Sequence, residues 1–217
     1  MLFNEGYYSA SQETVLRKDL CLEAMRLGLL LLAHEKTNQP RVRALLALMC
    51  FHASRFESRL AHPHGLLPWR EQDRAGWNQE LIRRGSQYLN QAAQGDQLSA
   101  YHLEAAVAYW HTQPDTPDKW TAMLAYYDQL LTLKDHPVIR LNRAYVVARA
   151  LSRQTAIVQL QGIKGVEDSY LYYALLAELH EPDDHVLAKA YWLQALSLAE
   201  LESEKTLLRQ RLAQLSR

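Results

Sequence analysis

Two stretches of twenty residues, LNRAYVVARALSRQTAIVQL (141–160) and YALLAELHEPDDHVLAKAYW (173–192), decide how this sequence folds. Small or apolar residues recur between them at an offset of 32 positions: Ala144, Val147, Ala156 and Leu160 in the first, and Leu176, Leu179, Ala188 and Trp192 in the second. At these positions the two antiparallel helices of a hairpin would have to approach each other closely. The recurrence therefore predicts two successive helical hairpins within residues 137–199, and ordinary amphipathic hairpins would also satisfy it.

Helical periodicity continues outward from this region, and no run of alternating residues predicts a strand. We therefore expect an all-α fold of about ten helices, with Leu20, Ala24, Leu27 and Leu31 as the buried stripe of the first long helix. The period resembles that of tetratricopeptide repeats, which is about 34 residues. The sequence predicts an N-terminal helical part (1–95) with a long loop at 58–72. Tetratricopeptide-like repeats (96–217) would follow it, and the first two helices of this second region would form a divergent repeat.

The composition excludes several classes of protein. The 217 residues carry 24 basic and 24 acidic side chains, so the excess positive charge typical of a free-standing nucleic-acid binder is missing. The longest apolar run, Leu27–Ala33, is far shorter than the roughly 20 residues of a membrane span. The N-terminus does not read as a signal peptide, and the two isolated cysteines, Cys21 and Cys50, are expected to be buried and reduced. These features predict a cytoplasmic protein.

No motif in the sequence combines a nucleophile, a base and an oxyanion donor, so we expect neither an enzyme nor a cofactor. Four residues of metal-binding type fall at a turn between two predicted helices, where acidic caps are common: His180, Asp183, Asp184 and His185. His62 and His64 lie in the loop without a nearby carboxylate. We therefore predict no metal site.

Two stretches combine polar and aromatic residues in an unusual way. One is Leu2–Tyr8, which contains Asn4, Glu5 and Tyr7. The other is Glu71–Trp77, in which Asp73 is expected to cap a helix over 73–93. Arg74 and Trp77 are three positions apart and therefore share a face of that helix. We predict that five of these side chains lie together, namely those of Asn4, Glu5, Asp73, Arg74 and Trp77. In this cluster the Arg74 guanidinium would pair with the carboxylate of Glu5 or Asp73. Such a cluster would either fix the long loop or form a surface for a ligand or partner.

Several motifs occur in the order found in one protein family. They are LFNEGY (2–7), DLCxEAxRL (19–27), ALLALMxxHxxR (44–55), QDRxxW (72–77), YxLxAAVA (101–108) followed by His111, and PVxxLNRA (137–144). Together they resemble the C-terminal extension of a group of bacterial extracytoplasmic-function sigma factors. The resemblance spans the whole chain and implies an all-helical, tetratricopeptide-like domain, with Tyr101 and His111 as secondary candidate residues.

The resemblance implies a regulatory accessory domain that acts in transcription initiation through protein–protein contacts and does not itself bind DNA. Its partners would be the sigma domains of the same protein, through them the RNA polymerase core, and a regulatory protein. The core-binding and promoter-binding domains are not found in this sequence, and His102, Glu104 and Asn78 depart from the family pattern. Two alternatives stay open. One is a stand-alone helical-repeat adaptor, and the other is a small-ligand sensor or enzyme whose site is formed by Asn4, Glu5, Asp73, Arg74 and Trp77.

Overall fold

The chain is described by a computed structural model over residues 2–7, 17–60, 72–95 and 97–215, without the side chains of Glu5 and Leu60. These residues form twelve α-helices, ten of them at least nine residues long, together with one 3-10 turn and no strand. The predicted all-α fold of about ten helices is confirmed. The chain divides into two compact units, which we call unit 1 (Met1–Asp115) and unit 2 (Thr116–Arg217).

Unit 2 is an array of helices in which neighbours along the chain pack together. The helices are α7 (Pro117–Leu133), α8 (Pro137–Ala150), α9 (Arg153–Gln161), α10 (Tyr170–His180), α11 (His185–Leu198) and α12 (Glu202–Leu215). Each packs on the next, and α8 also packs on α10. Proline opens α7 and α8, where its missing N–H is not needed, and the side chains of Ser152 and Asp184 cap α9 and α11.

The residues that recur at the offset of 32 all lie inside unit 2. None of the eight is more than 6% exposed, and Val147, Ala156, Leu160 and Ala188 are fully buried. Seven of the eight contribute to two apolar clusters, one centred on α8, α9 and α10 and the other on α10, α11 and α12. The predicted register of the two hairpins therefore matches the packing.

Unit 1 is arranged around one central helix. Its helices are α1 (Leu2–Tyr7), α2 (Lys18–Ala33), α3 (Pro40–Ala53), α4 (Phe56–Leu60), α5 (Gln79–Ala92) and α6 (Ala100–Thr112). Helix α3 packs on α2, α5 and α6. The contacts with α2 and α5 are close because each offers a glycine: a Cβ on Gly28 would lie 2.7 Å from Leu46 Cδ2, and one on Gly85 would lie 2.7 Å from Phe51 Cε1.

The predicted buried stripe of α2 is only partly correct, because Ala24 is buried and Leu20 is half-buried but the other two predicted positions are exposed. Cys21, Ala24 and Gly28 form the buried face, whereas Leu27 and Leu31 are each 43% exposed. Small residues allow α2 to lie close to α1 and α3, and this close approach places the bulky leucines on the outside. Cys21 and Cys50 are buried free thiols, as predicted.

The first compact unit extends to Asp115, whereas the predicted N-terminal part ended at residue 95. Helix α6 accounts for the difference because it packs on α3 and α5, while α7 packs on α8, so these two helices are not the divergent repeat. The predicted loop at 58–72 begins inside α4, and its residues 61–71, with His62 and His64, lie outside the described part of the chain.

Candidate functional site

The candidate site is built on a short turn that precedes α5. The sequence predicted one helix over 73–93 capped by Asp73, but residues 74–76 form a 3-10 turn and α5 starts at Gln79 with Asn78 as its cap. Asp73 Oδ1 accepts a hydrogen bond from the Ala75 amide (2.9 Å), so Asp73 caps the turn instead. The Asn78 amide donates a hydrogen bond to the Ser54 carbonyl (2.8 Å), and the Ser58 hydroxyl donates one to the Asp73 carbonyl (2.8 Å).

Trp77 ends the turn and is the centre of a group of polar side chains. Its indole is 3% exposed, and the guanidinium carbons of Arg55 and Arg74 lie 5.4 Å and 5.8 Å from the ring centroid. Both distances are within the range of cation–π attraction. Arg55 Nε donates to Gln72 Oε1 (2.9 Å), and an Arg74 terminal nitrogen donates to the Gln113 carbonyl (3.1 Å). Arg55 and Arg74 thus link the turn to the segment between α3 and α4 and to the end of α6, and both guanidinium groups lie beside Trp77.

Tyr7 is the centre of a second aromatic contact. Its ring is 2% exposed, stacks on Phe3 at 5.8 Å between centroids, and lies 4.9 Å from the His52 ring. The guanidinium carbon of Arg59, itself only 9% exposed, lies 4.0 Å from the Tyr7 centroid. The short helix α1 is therefore anchored on the segment between α3 and α4.

Residues 52–59 connect the two aromatic contacts. The Arg59 amide donates to the Arg55 carbonyl (2.9 Å), so both arginines project from one helical turn beside His52. Burial, followed by the positive charges of Arg55 and Arg59, lowers the pKa of His52 from 6.5 to about 3. His52 is consequently neutral at physiological pH. We call Tyr7, His52, Arg55, Arg59, Gln72, Arg74 and Trp77 the arginine–aromatic cluster.

The structure brings together only part of the predicted set. Arg74 and Trp77 contact each other, and Tyr7 lies in the neighbouring aromatic contact with His52 and Arg59. Asn4 is exposed, and Asp73 is an exposed capping residue. The side chain of Glu5 lies outside the described residues, so its pairing with Arg74 stays a prediction. The sequence reasoning missed His52, Arg55 and Arg59 as site residues. The spacing His52-x-x-Arg55-x-x-x-Arg59, which places three polar groups on one helical face at the end of an apolar helix, could have revealed them.

The secondary candidates and their neighbour in α6 have different environments. Tyr101 is 42% exposed at the start of α6, and His111 is partly buried in its last turn. His102, which departs from the family pattern, is structural: its Nδ1 accepts from the Ser99 amide (3.1 Å) and its Nε2 lies 3.3 Å from the Ala92 carbonyl. This ring thus joins the end of α5 to the start of α6.

Within residues 2–7, 17–60, 72–95 and 97–215, no group of three or more His, Cys, Asp or Glu side chains could hold a metal ion. Asp184 caps α11, and Asp183 pairs with Arg153 at 3.1 Å. Burial raises the pKa of the Cys21 thiol to about 11 and that of Cys50 to about 12, so neither is a ready nucleophile. No helix in the described part of the chain is long and apolar enough to cross a membrane.

Comparison with known proteins gives two similarities. The model of a family of unknown function, DUF6596, matches residues 1–93, and therefore α1–α5 with the arginine–aromatic cluster. The whole chain is also 27% identical over 223 residues to uncharacterized protein R00370 of Rhizobium meliloti (strain 1021). That alignment covers 52% of R00370, so the chain spans about half the length of this curated relative. No solved structure matches the chain.

Proposed function

We propose that this chain is a regulatory accessory domain of an alternative, extracytoplasmic-function sigma factor and that it acts in transcription initiation through protein–protein contacts. Its partners are the sigma domains of the same protein and, through them, the RNA polymerase core, with a regulatory protein as a further partner. It works in the cytoplasm and has no catalytic role.

The observation that carries the proposal is the convergence of two separate motifs from the sigma-factor resemblance. Arg55 belongs to one motif, and Gln72, Arg74 and Trp77 belong to another. Arg55 donates to Gln72, and the guanidinium groups of Arg55 and Arg74 both lie beside the Trp77 ring. Two motifs that are distant in sequence but meet in one cluster are more typical of a shared role than of independent chance similarities.

The type of cluster favours a protein partner. Arginine is among the residues most enriched at energetically important positions of protein interfaces, and Arg55 and Arg74 of the cluster are partly exposed. Gln72, Trp77 and Tyr7 are at most 5% exposed, so the cluster is a rigid platform whose partly exposed members are His52, Arg55 and Arg74. A platform of this kind loses little conformational entropy when a partner docks.

The helical hairpins of unit 2 support the same conclusion. Successive hairpins in repeat proteins present extended surfaces that bind peptide segments or other domains. The relative R00370 is about twice as long as its match to this chain, which leaves room in that protein for further domains. In our proposal those domains correspond to the sigma domains.

The absence of net charge predicts that the chain does not bind DNA by itself. Equal numbers of basic and acidic side chains, 24 of each, leave no excess to replace the counterions of duplex DNA. A fluorescence anisotropy titration with duplex DNA at low salt should give the same weak signal as a neutral control protein. Salt-sensitive binding in the micromolar range or tighter would contradict this part of the proposal.

The proposal as a whole is tested by purification from the native host. The gene that encodes this chain is tagged at its 3′ end in its genomic context, and the tagged protein is isolated under mild conditions. We expect the core subunits of RNA polymerase to co-purify in stoichiometric amounts. Recovery of a different protein complex without polymerase would favour the stand-alone adaptor and overturn the sigma-factor role.

A further inference from the structure

Helix α12 covers an apolar surface on α11. Leu208 of α12 is buried and belongs to one apolar cluster with Trp192 and Ala195 of α11, and Leu212 and Leu215 pack against the same cluster. The three leucines stand at positions i, i+4 and i+7 of the helix. This is the spacing with which an amphipathic helix fills an apolar groove in a helix-in-groove complex.

The attachment of α12 to unit 2 is one-sided. Among the described helices, α11 is the only one on which α12 packs extensively, whereas α8 packs on α7, α9 and α10. Leu208 is the one buried residue among the 14 of α12. An element held by few buried apolar side chains opens at a lower free energy than the rest of its domain. The packing therefore allows α12 to leave α11 while α8–α11 stay folded.

Side chains of α12 also support its own helical structure. Glu202 forms an ion pair with Arg209 inside the helix, and Glu204 Oε2 accepts a hydrogen bond from the Leu201 amide (3.3 Å) at its start. Gln210 and Gln214 lie on its exposed side. These local interactions are not lost when the helix separates from α11, so they do not oppose its release.

We propose that α12 is a displaceable strap and that the surface beneath it binds an amphipathic helix of a partner protein. Because α12 occupies this surface in the structure, its own sequence defines the chemistry of the helix that fits: leucines at i, i+4 and i+7 on one side and polar residues on the other. This inference is independent of the proposed role in transcription.

The Trp192 indole gives a second reason to expect exchange at this surface. Trp192 is 3% exposed, and its Nε1 has no hydrogen-bond partner in the described part of the chain. A buried donor without an acceptor destabilises the state that contains it. Release of α12 uncovers the cluster that contains this ring, and water or an acceptor on a partner helix then satisfies the donor.

A labelled peptide of residues 200–215 serves as the probe, and its binding to the whole chain is measured by fluorescence anisotropy. Leu208→Gln in the chain weakens the strap, so this variant should bind the peptide at least about tenfold more tightly than the parent, in which the closed strap competes. Gln210→Ala, at an exposed position of the same helix, is the matched control and should bind as weakly as the parent. A peptide that itself carries Leu208→Gln should bind none of these chains.

Hydrogen exchange followed by mass spectrometry distinguishes a strap from a structural cap. In the parent, the amides of α12 should exchange faster than those of α10 and α11, and Leu208→Gln should remove protection from α12 alone. Loss of protection throughout α10 and α11 in that variant would overturn the proposal, because α12 would then be part of the core that holds unit 2 together. Equal affinity of the parent and the Leu208→Gln chain for the peptide would also overturn it.

Discussion

Unit 1 and unit 2 are both helical, but their interiors differ in chemistry. The buried residues of unit 2 are almost entirely apolar, and Lys119 is the only charged or polar side chain that is buried there among the described residues. Unit 1 buries five polar or charged side chains in its described part: Ser54, Ser58, Arg59, Gln72 and His102. Most of these join the turn before α5 to the end of α3, and Arg59 contacts Tyr7.

This difference shows where specific chemistry is concentrated. Burying polar groups costs free energy unless each is hydrogen-bonded, so a domain retains them where they define one geometry. Unit 2 obtains its geometry from a repeated pattern of small and large apolar residues. Unit 1 holds a particular arrangement of Arg55, Arg74 and Trp77, which is the part of the molecule that we connect with partner recognition.

The largest effect is expected from removing the centre of the cluster. Trp77→Ala should destabilise unit 1 by about 3–5 kcal/mol, because a large buried aromatic side chain is lost and a cavity remains. Hydrogen exchange followed by mass spectrometry should show the loss of protection in α3, α5 and α6 and little change in α8–α11.

Trp192→Ala is the matched control, since Trp192 is equally buried, at 3% exposed, but lies in unit 2. It should produce the opposite pattern of exchange. Equal loss of protection throughout the chain in both variants would show that the two units do not differ as we describe.

The repeat register of unit 2 is the next target. Ala144→Trp and Ala188→Trp each insert a large ring where the parent residue is at most 1% exposed, and overpacking of this kind costs about 1–3 kcal/mol or more. Both variants should lower the thermal melting temperature. Val186→Trp, at a position that is 83% exposed, serves as the control and should melt as the parent does. Unchanged melting of both alanine variants would refute the register.

A smaller effect is expected from pH, and it should arise in unit 1. The pKa of His52 is lowered to about 3 in the folded chain, whereas an unfolded histidine has its ordinary pKa of 6.5. Below pH 6.5 the unfolded chain therefore binds a proton that the folded chain cannot, and stability falls as the pH decreases, by up to about 1.4 kcal/mol per pH unit.

Urea unfolding at pH 7.0, 6.0 and 5.0 measures this loss for the parent and for His52→Phe. The variant keeps an aromatic ring beside Tyr7 but cannot bind a proton, so its stability should fall less steeply in this range. Parallel pH profiles of the two proteins would contradict a lowered pKa of His52 in the folded chain.

Much of the fold follows from local sequence patterns. Pro40, Pro117 and Pro137 mark helix starts because proline suits only the first turn, and the 32-residue offset identified eight of the buried positions of unit 2. The face of α2 was mispredicted because Gly28 carries no apolar side chain, and its role depends on the approach of Leu46 from α3. Periodicity reports which residues are apolar and does not report how closely another helix can approach.

The candidate site was predictable only where its residues are close in sequence. The association of Arg74 with Trp77 follows from their spacing. The contact of Arg55 with Gln72 and that of Arg59 with Tyr7 depend on tertiary packing between segments that are 17 and 52 positions apart, respectively. The start of α5 was placed too early because both Asp73 and Asn78 are good caps, and hydrogen bonds to Ser54 and Ser58 decide between them.

The central claim is that the arginine–aromatic cluster of unit 1 serves transcription initiation. Arg74→Gln, introduced into the genomic copy, tests it most directly, because Arg74 is only partly buried and its replacement should leave the fold intact. Arg140→Gln, which removes an exposed ion pair with Asp135 in unit 2, is the matched control. RNA sequencing should show that a defined set of transcripts falls at least severalfold in the Arg74 variant and is unchanged in the control. Identical transcript profiles in the two variants and the parent, at equal protein levels, would contradict the account.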